Sequence, residues 1–265
     1  MTTTPAPSDA TTVHVAGGTV QVQIADGIGS ITFHHPKSNS LPGALLRELA
    51  ATVTRVSATP GVRVLQLASG GTGAFCAGAS FDELVAISTP EEGETFFSGF
   101  AGVILAMLRA PQFVVTRVHG RAAGGAVGLI AASDLALAVE HASAKLSELA
   151  IGIGPFVVGP VIEKKIGLAG FSAMAVDADW RDAAWAERQG LYARVFPSVH
   201  ELDAALAVEV AKLAACNPEA MSLLKRAFWT GTEGWDTLLA ERARMSGTLV
   251  LSDFTRNAIA RFKSQ

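Results

Sequence analysis

The fold is decided by a strand that turns sharply into a helix, VHGRAAGGAVG at residues 118–128. The residues before the turn, 113–118, are rich in Phe and Val, which favours a buried strand. The residues after it, 124–133, are rich in Gly and Ala and have the character of a short helix. Small residues let backbone N–H groups approach a ligand closely, and a helix N-terminus leaves N–H groups unpaired. The turn therefore predicts a site for developing negative charge.

Two further segments flank this turn in the sequence. A loop of small residues, 74–80, follows the predicted strand 62–68, and Glu148 lies in the segment Leu146-Ser147-Glu148-Leu149. Two N–H groups aimed at one carbonyl oxygen form an oxyanion hole, and a nearby carboxylate can transfer a proton. The apolar neighbours of Glu148 predict a pKa raised by burial.

The rest of the chain predicts an α/β fold followed by helices. Alternating apolar residues around Gly17-Gly18 predict a hairpin over 13–24, and strands then alternate with helices. Two of these helices have clear signals: an apolar face of Leu45, Leu49, Val53 and Val56, and a start at Thr89-Pro90-Glu91-Glu92 with Thr89 as N-cap. We expect a loose tail over 1–12, a core over 13–196, and a helical region over 197–265. In that last region the apolar residues recur with helical period.

Composition excludes several classes of protein. Of the 265 residues, 49% are hydrophobic and 17% charged, against about 25% charged in typical domains, so a disordered chain is excluded. The net charge of -3 argues against a nucleic-acid binder. Cys76 and Cys216 form no zinc-type motif. The start of the chain lacks a secretion signal, and the longest uncharged stretch, 64–81, is too rich in glycine for a membrane span. We expect no membrane partner and a cytoplasmic location.

The order of the motifs resembles the crotonase, or enoyl-CoA hydratase/isomerase, superfamily. The motifs are FCAGA at 75–79, HGRAAGG at 119–125 and SELAIGIGP at 147–155. Pro36-x-x-Asn39-Ser40-Leu41 resembles an upstream element of that family. The ending, Ser252-Asp253 to Phe262-Lys263, resembles the family's last motif with Asn257-Ala258 replacing Glu-Gly. The stretch 124–167 is most similar to bacterial methylglutaconyl-CoA hydratases.

The resemblance implies a crotonase-like spiral of ββα units with a C-terminal helical region used for trimerisation. It implies an acyl-CoA thioester as substrate, with no cofactor other than the coenzyme A carried by that substrate and no metal. Carried over residue by residue, Ala79 and Gly125 supply the oxyanion N–H groups, and Glu148 is the acid/base. The remaining expected contacts to substrate or coenzyme A come from Lys37, Ala77, Gly78, Gly124, Gly128 and Lys263.

One departure from the family concerns the second glutamate of the hydratases. It is expected three residues after Gly125, where this chain has Gly128. One turn of helix predicts that position 128 faces the cleft, so Gly128→Glu should raise hydration of crotonyl-CoA. The lead interpretation is a hydratase of 2-enoyl-CoA, with 3-methylglutaconyl-CoA a candidate substrate. The alternatives are an enoyl-CoA isomerase, an acyl-CoA decarboxylase and a non-catalytic acyl-CoA-binding protein.

The helical region also predicts self-association. Its apolar residues exceed what one small helical layer easily buries, which favours a homotrimer or a homohexamer built as a dimer of trimers. Those residues are Trp235, Leu238, Leu239, Met245, Leu249 and Leu251.

Overall fold

The computed structural model describes residues 9–263, without the side chains of Asp9, Phe262 and Lys263. Within that range one mixed sheet has the strand order β1-β2-β3-β4-β5-β7-β10. Its strands are β1 (Asp9–Val15), β2 (Gly18–Ala25), β3 (Ile28–His34), β4 (Val64–Ser69), β5 (Phe113–Val118), β7 (Leu135–Val139) and β10 (Arg194–Phe196). The first three strands pair antiparallel, and β3, β4, β5, β7 and β10 are parallel.

The predicted hairpin is confirmed, with Val13 paired to Val20. The boundary of the predicted tail is wrong, because β1 begins at Asp9 and pairs along its whole length with β2. The ladder of hydrogen bonds orders residues 9–12 although Asp9, Thr11 and Thr12 are polar residues. The first part of that predicted tail, residues 1–8, lies outside the described residues.

Helices connect the parallel strands and cover the sheet. They are α1 (Gly43–Ser57), α2 (Phe81–Ala86), α3 (Pro90–Arg109), α4 (Gly125–Ala131), α5 (Gly159–Asp177, interrupted at Gly167) and α6 (Ala183–Arg188). The apolar face predicted for α1 is buried, from Leu45 to Val56. The predicted start of α3 is also confirmed, because the Thr89 hydroxyl accepts a hydrogen bond from the Glu92 N–H at 3.2 Å.

A small second sheet was not predicted from the sequence. It has the order β6-β8-β9 and comprises β6 (Ala122–Ala123), β8 (Ser143–Lys145) and β9 (Arg181–Asp182). Strands of two or three residues have no readable alternation, which explains why the pattern missed them. β6 directly precedes the turn into α4, and β8 ends shortly before Glu148, so this sheet positions the candidate site.

Only helices follow β10 within the described residues. They are α7 (Val199–Ala214), α8 (Pro218–Phe228), α9 (Trp235–Leu249) and α10 (Asp253–Lys263). A buried ion pair fixes α8 to the sheet: Lys225 Nζ lies 3.0 Å from Asp134 Oδ2 and donates to the carbonyls of Met107 and Gln112 at 2.8 and 2.6 Å. These partners compensate for burying the charges. No helix among residues 9–263 is both long and apolar enough to cross a membrane.

Candidate active site

Backbone hydrogen bonds join the two glycine-containing loops. The Cys76 N–H donates to the Arg121 carbonyl at 3.1 Å, and the Ala123 N–H donates to the Cys76 carbonyl at 3.0 Å. Gly78 has φ +85°, and a Cβ at this residue would lie 2.5 Å from the Ala123 carbonyl oxygen. Only glycine allows both this conformation and this approach. The residues after each loop, Ala79 and Gly125, are thereby brought together.

Two amide groups at this junction are unpaired. Among the described residues, the N–H groups of Ala79 and Gly125 have no hydrogen-bond acceptor. Gly125 is the first residue of α4, so its N–H also lies at the positive end of that short helix. The preceding residue, Gly124, adopts φ +56° and donates its own N–H to the Lys145 carbonyl at 2.8 Å. The pair of free N–H groups has the character expected of an oxyanion hole.

The carboxyl group of Glu148 lies against Gly124. A Cβ on Gly124 would be 3.1 Å from Glu148 Oε1, so a larger residue there would press on the carboxyl group. Glu148 begins a 3-10 turn, Leu149–Ile151, and its carbonyl accepts the N–H groups of Ile151 and Ile153 at 3.2 and 3.0 Å. Its Oε2 is buried with no partner among the described residues. Burial raises the pKa of Glu148 to about 7, in the direction predicted.

The oxyanion residues Ala79 and Gly125 and the acid Glu148 line one cavity, whose wall is mainly apolar. Of the predicted residues, six line it: Ala77, Gly78, Ala79, Gly124, Gly125 and Glu148. The apolar wall comes from residues that the sequence analysis did not select, Phe81, Leu84, Phe97, Phe100, Ile151, Ile153, Phe156, Val157 and Val158. Within the described part of the chain, Glu148 is the one titratable side chain that lines the cavity. The arrangement can polarise a carbonyl group and move a proton beside it in a largely dry environment.

Gly128 does not line the cavity, which corrects its assignment as a substrate contact. A Cβ on Gly128 would lie 2.4 Å from Val158 Cγ1 and 3.5 Å from Ile104 Cδ1. Position 128 thus points toward the cleft wall, as its helical spacing predicts, but Val158 covers it. Val158 lies directly before α5. Its contact with position 128 joins distant segments, so the helical period of residues 118–133 could not predict it.

Of the two predicted lysine contacts, Lys37 does not line the cavity. Lys37 is exposed and forms an ion pair with Asp82, which follows the cavity residue Phe81. Lys263 is the last residue of α10, and its side chain lies outside the described residues.

The upstream Pro36-x-x-Asn39 element holds the loop that carries Ala79 through hydrogen bonds. The buried Asn39 amide donates to the carbonyls of Gly70 and Ala74 at 2.8 and 3.0 Å. The Ala77 N–H donates to the Ser38 carbonyl at 3.0 Å. These bonds hold the 70–79 loop, so Asn39 positions the loop that carries Ala79.

Some contributors were missed because their signal is weak in sequence. Phe100 packs over Gly125, where a Cβ would lie 2.1 Å from the ring. The aromatic run in α3, Phe96-Phe97 and Phe100, was the available clue. Ser246 also lines the cavity from α9, so the helical region predicted to serve association contributes to the site as well.

Comparisons with known proteins agree with this geometry. Residues 23–263 match the model of the enoyl-CoA hydratase/isomerase family. A "Probable enoyl-CoA hydratase" of Rhodobacter capsulatus is 28% identical over 92% of this chain and 94% of its own. An ethylmalonyl-CoA decarboxylase of Danio rerio is 29% identical over 52% of this chain and 47% of its own. The crystal structure of an enoyl-CoA hydratase from Mycobacterium avium subsp. paratuberculosis superposes with a TM-score of 0.82 at 25% identity, covering 94% of this chain and 99% of that one. The predicted resemblance to the crotonase superfamily is confirmed, and the chain belongs to the enoyl-CoA hydratase/isomerase family.

Proposed function

We propose that this protein adds water reversibly to a 2-enoyl-CoA thioester, with Glu148 as its single acid/base. The observation that carries the proposal is the position of the Glu148 carboxyl group, whose buried Oε2 has no partner among the described residues, in the same cavity as the two N–H groups of Ala79 and Gly125. A pKa of about 7 lets the same group both accept and return a proton near neutral pH.

The proposed reaction balances within the substrate, water and Glu148. The thioester oxygen accepts hydrogen bonds from the Ala79 and Gly125 N–H groups. Glu148 takes a proton from water while the water oxygen bonds to C3, and the C2=C3 electron pair moves toward the thioester to form an enolate. Glu148 then returns the proton to C2. Each oxyanion donor contributes about 10²–10³ in rate. This scheme requires no metal or redox group.

An enoyl-CoA isomerase is the second candidate, and the lone carboxyl group favours it. Moving a double bond from C3 to C2 needs one group that takes a proton from C2 and returns it at C4, without a bound water. A decarboxylase is less well supported as an alternative, because the ethylmalonyl-CoA decarboxylase relative matches only about half of this chain. A non-catalytic member would have no need for a carboxyl group with a raised pKa.

Glu148→Gln keeps the size of the side chain but cannot move a proton. We expect kcat with crotonyl-CoA to fall by about 10²–10⁴ with little change in KM. The loss of enoyl-thioester absorbance measures hydration, and a 3-enoyl-CoA in the same assay measures isomerisation. Glu241→Gln, at an exposed position of α9, is the control and should keep full activity. An unchanged kcat in Glu148→Gln would remove this residue from the mechanism.

The residues that line the cavity indicate which acyl group it favours. Among residues whose side chains the structure describes, no Lys, Arg or His lines the cavity, so none of them would place a cation beside a carboxylate on the acyl group. It would also lie in the same poorly solvated cavity as Glu148, where like charges repel by several kcal/mol (roughly). We therefore propose an uncharged 2-enoyl group as the better substrate, with 3-methylglutaconyl-CoA a poorer one.

Gly128→Glu tests both the acyl group and the role of Val158. Alone, the substitution forces Val158 to move, and such overpacking costs about 1–3 kcal/mol. We expect a lower melting temperature and no gain in crotonyl-CoA hydration. Combined with Val158→Ala, the glutamate has room, and hydration of crotonyl-CoA should exceed that of Val158→Ala alone. Activity on 3-methylglutaconyl-CoA should fall. A gain in the single variant at unchanged stability would show that Val158 does not close this position.

We also propose that copies of the chain associate as trimers or as pairs of trimers. Two of the residues chosen from the sequence, Trp235 and Leu239, are buried within the chain and cannot supply this contact. Met245 and Leu249 are exposed, and α8 adds the exposed Leu223, Leu224 and Phe228. Exposed apolar groups of this extent favour self-association.

Light scattering tests the assembly. We expect a mass three or six times that of one chain at micromolar concentration. Leu224→Glu, in the middle of the exposed part of α8, should shift the population toward smaller species. A monomer of the unsubstituted chain would contradict the proposal.

A further inference from the structure

One hydroxyl group lies on an otherwise apolar face of α9. The other residues that share this face at helical spacing are buried and aliphatic: Leu239, Ala243 and Val250. Ser246 belongs to the same face, is 1% exposed and lines the cavity of the candidate active site. A buried hydroxyl group is destabilising unless it is hydrogen-bonded. The Ser246 hydroxyl therefore requires a partner.

The described chain does not supply that partner. Among residues 10–261 the Ser246 hydroxyl forms no hydrogen bond. On the exposed face of the same helix, by contrast, the Thr248 hydroxyl donates to the Arg244 carbonyl one turn earlier at 3.0 Å. Because Ser246 makes no such bond to its own helix, its hydroxyl is available to a molecule in the cavity.

A ligand is also the reason that favours serine at this position. Alanine has a higher helix propensity than serine, and it would leave no buried hydroxyl unpaired. Within the chain alone, Ser246→Ala would therefore stabilise the fold. A residue that stabilises less than its simplest replacement, and that lies in a ligand cavity, indicates a role in binding.

Close packing of α9 against α3 fixes the position of Ser246. A Cβ on the next residue, Gly247, would lie 2.5 Å from the Glu94 backbone nitrogen, so the two helices are in backbone contact there. Arg109, at the other end of α3, forms an ion pair with Asp236 at the start of α9. The helices therefore run antiparallel, and Ser246 lies beside the first turns of α3.

This position is separated from the two N–H groups along α3. Phe100 packs over Gly125, whereas Ser246 is level with Glu94. The rise from residue 94 to residue 100 of a helix is about 9 Å. Phe97 lies between these two levels and also lines the cavity. An acyl group held at the N–H groups by its thioester oxygen can therefore extend past Phe97 to Ser246.

The length of this path indicates where on the acyl group the partner atom lies. A hydrogen bond to the serine hydroxyl covers about 2.8 Å of the path. An extended chain advances about 1.2 Å per bond, so the partner atom is about five bonds from the thioester carbonyl carbon. An oxygen on C5 fits this separation. Phe97 and the other apolar residues of the wall favour an uncharged oxygen over a carboxylate.

We propose that the Ser246 hydroxyl hydrogen-bonds an uncharged oxygen at or near C5 of the acyl group. The substrate class is then a 2-enoyl-CoA thioester with a hydroxyl or carbonyl group at that distance from the thioester. This inference rests on the proposed function for the thioester and for its orientation in the cavity. Ser246 is a specificity-determining residue in this account, and Glu148 alone moves the proton.

Calorimetry with two saturated thioesters tests the contact without turnover. In 5-methylhexanoyl-CoA a methyl group replaces the ketone oxygen of 5-oxohexanoyl-CoA. Ser246→Ala should shift the ratio of their Kd values against the oxo compound by about fivefold, as expected for the loss of one neutral hydrogen bond. Thr248→Ala removes an exposed hydroxyl from the same helix and should leave the ratio unchanged. An unchanged ratio in Ser246→Ala would overturn the proposal.

The melting temperature separates binding from a structural role. Ser246→Ala should melt at the same temperature as the unsubstituted protein or higher, because no contact within the chain is lost. A lower melting temperature would show that the hydroxyl serves the fold and would contradict the proposal. Ser246→Cys, whose thiol is a weak donor, should shift the Kd ratio in the same direction and replaces the alanine variant if that variant does not fold.

Kinetics with the matching 2-enoyl thioesters separate this proposal from the proposed function. In Ser246→Ala, kcat/KM for 5-oxo-2-hexenoyl-CoA should fall about fivefold relative to that for 5-methyl-2-hexenoyl-CoA. Equal falls with both substrates would contradict the specificity role. If the unsubstituted protein hydrates both and Ser246→Ala leaves both ratios unchanged, the contact fails and the activity stands. If the Kd ratio shifts but neither thioester is converted, the activity fails and the contact stands.

Discussion

Two backbone hydrogen bonds at Cys76, one donated to Arg121 and one accepted from Ala123, join loops that are almost 50 residues apart in sequence. This junction is possible because the residues around it are small: a Cβ at Gly78 would meet the Ala123 carbonyl. The loops reach the junction from the ends of the adjacent parallel strands β4 and β5. Shifting either loop would separate the Ala79 and Gly125 N–H groups. The two N–H groups proposed to polarise the thioester are therefore positioned by close packing of the backbone rather than by any side chain.

The proposed acid/base role of Glu148 depends on its raised pKa, which results from the cost of burying a charged carboxylate. Glu148 Oε2 has no partner among residues 10–261, and desolvation in the mostly apolar cavity raises the pKa of Glu148 to about 7. Phe100 over Gly125 and Val158 over Gly128 complete the dry wall. These contacts leave no space for a second carboxyl group from position 128. A site of this kind holds one proton and moves it between positions on the substrate.

Much of this arrangement could be predicted from the sequence. The cap at Thr89 and the hairpin around Gly17-Gly18 follow from local patterns that the structure confirms. The choice of Ala79, Gly125 and Glu148 follows from the family resemblance, and all three residues line one cavity. What could not be predicted depends on contacts between distant segments. The Val158 side chain over Gly128 and the buried Lys225–Asp134 pair leave no periodic signal. The strands of the small sheet are too short to show one either.

The central claim is that one buried carboxyl group, Glu148, carries the proton in turnover. The pH dependence of kcat/KM for crotonyl-CoA tests it most directly, because this profile reports the ionisation of the free enzyme. Glu148 must start deprotonated, so the account predicts that kcat/KM rises about tenfold per pH unit and levels off above a pKa of about 7. A profile that levels off near the ordinary glutamate pKa of about 4.3, or one that shows no ionisation between pH 5 and 8, would contradict it.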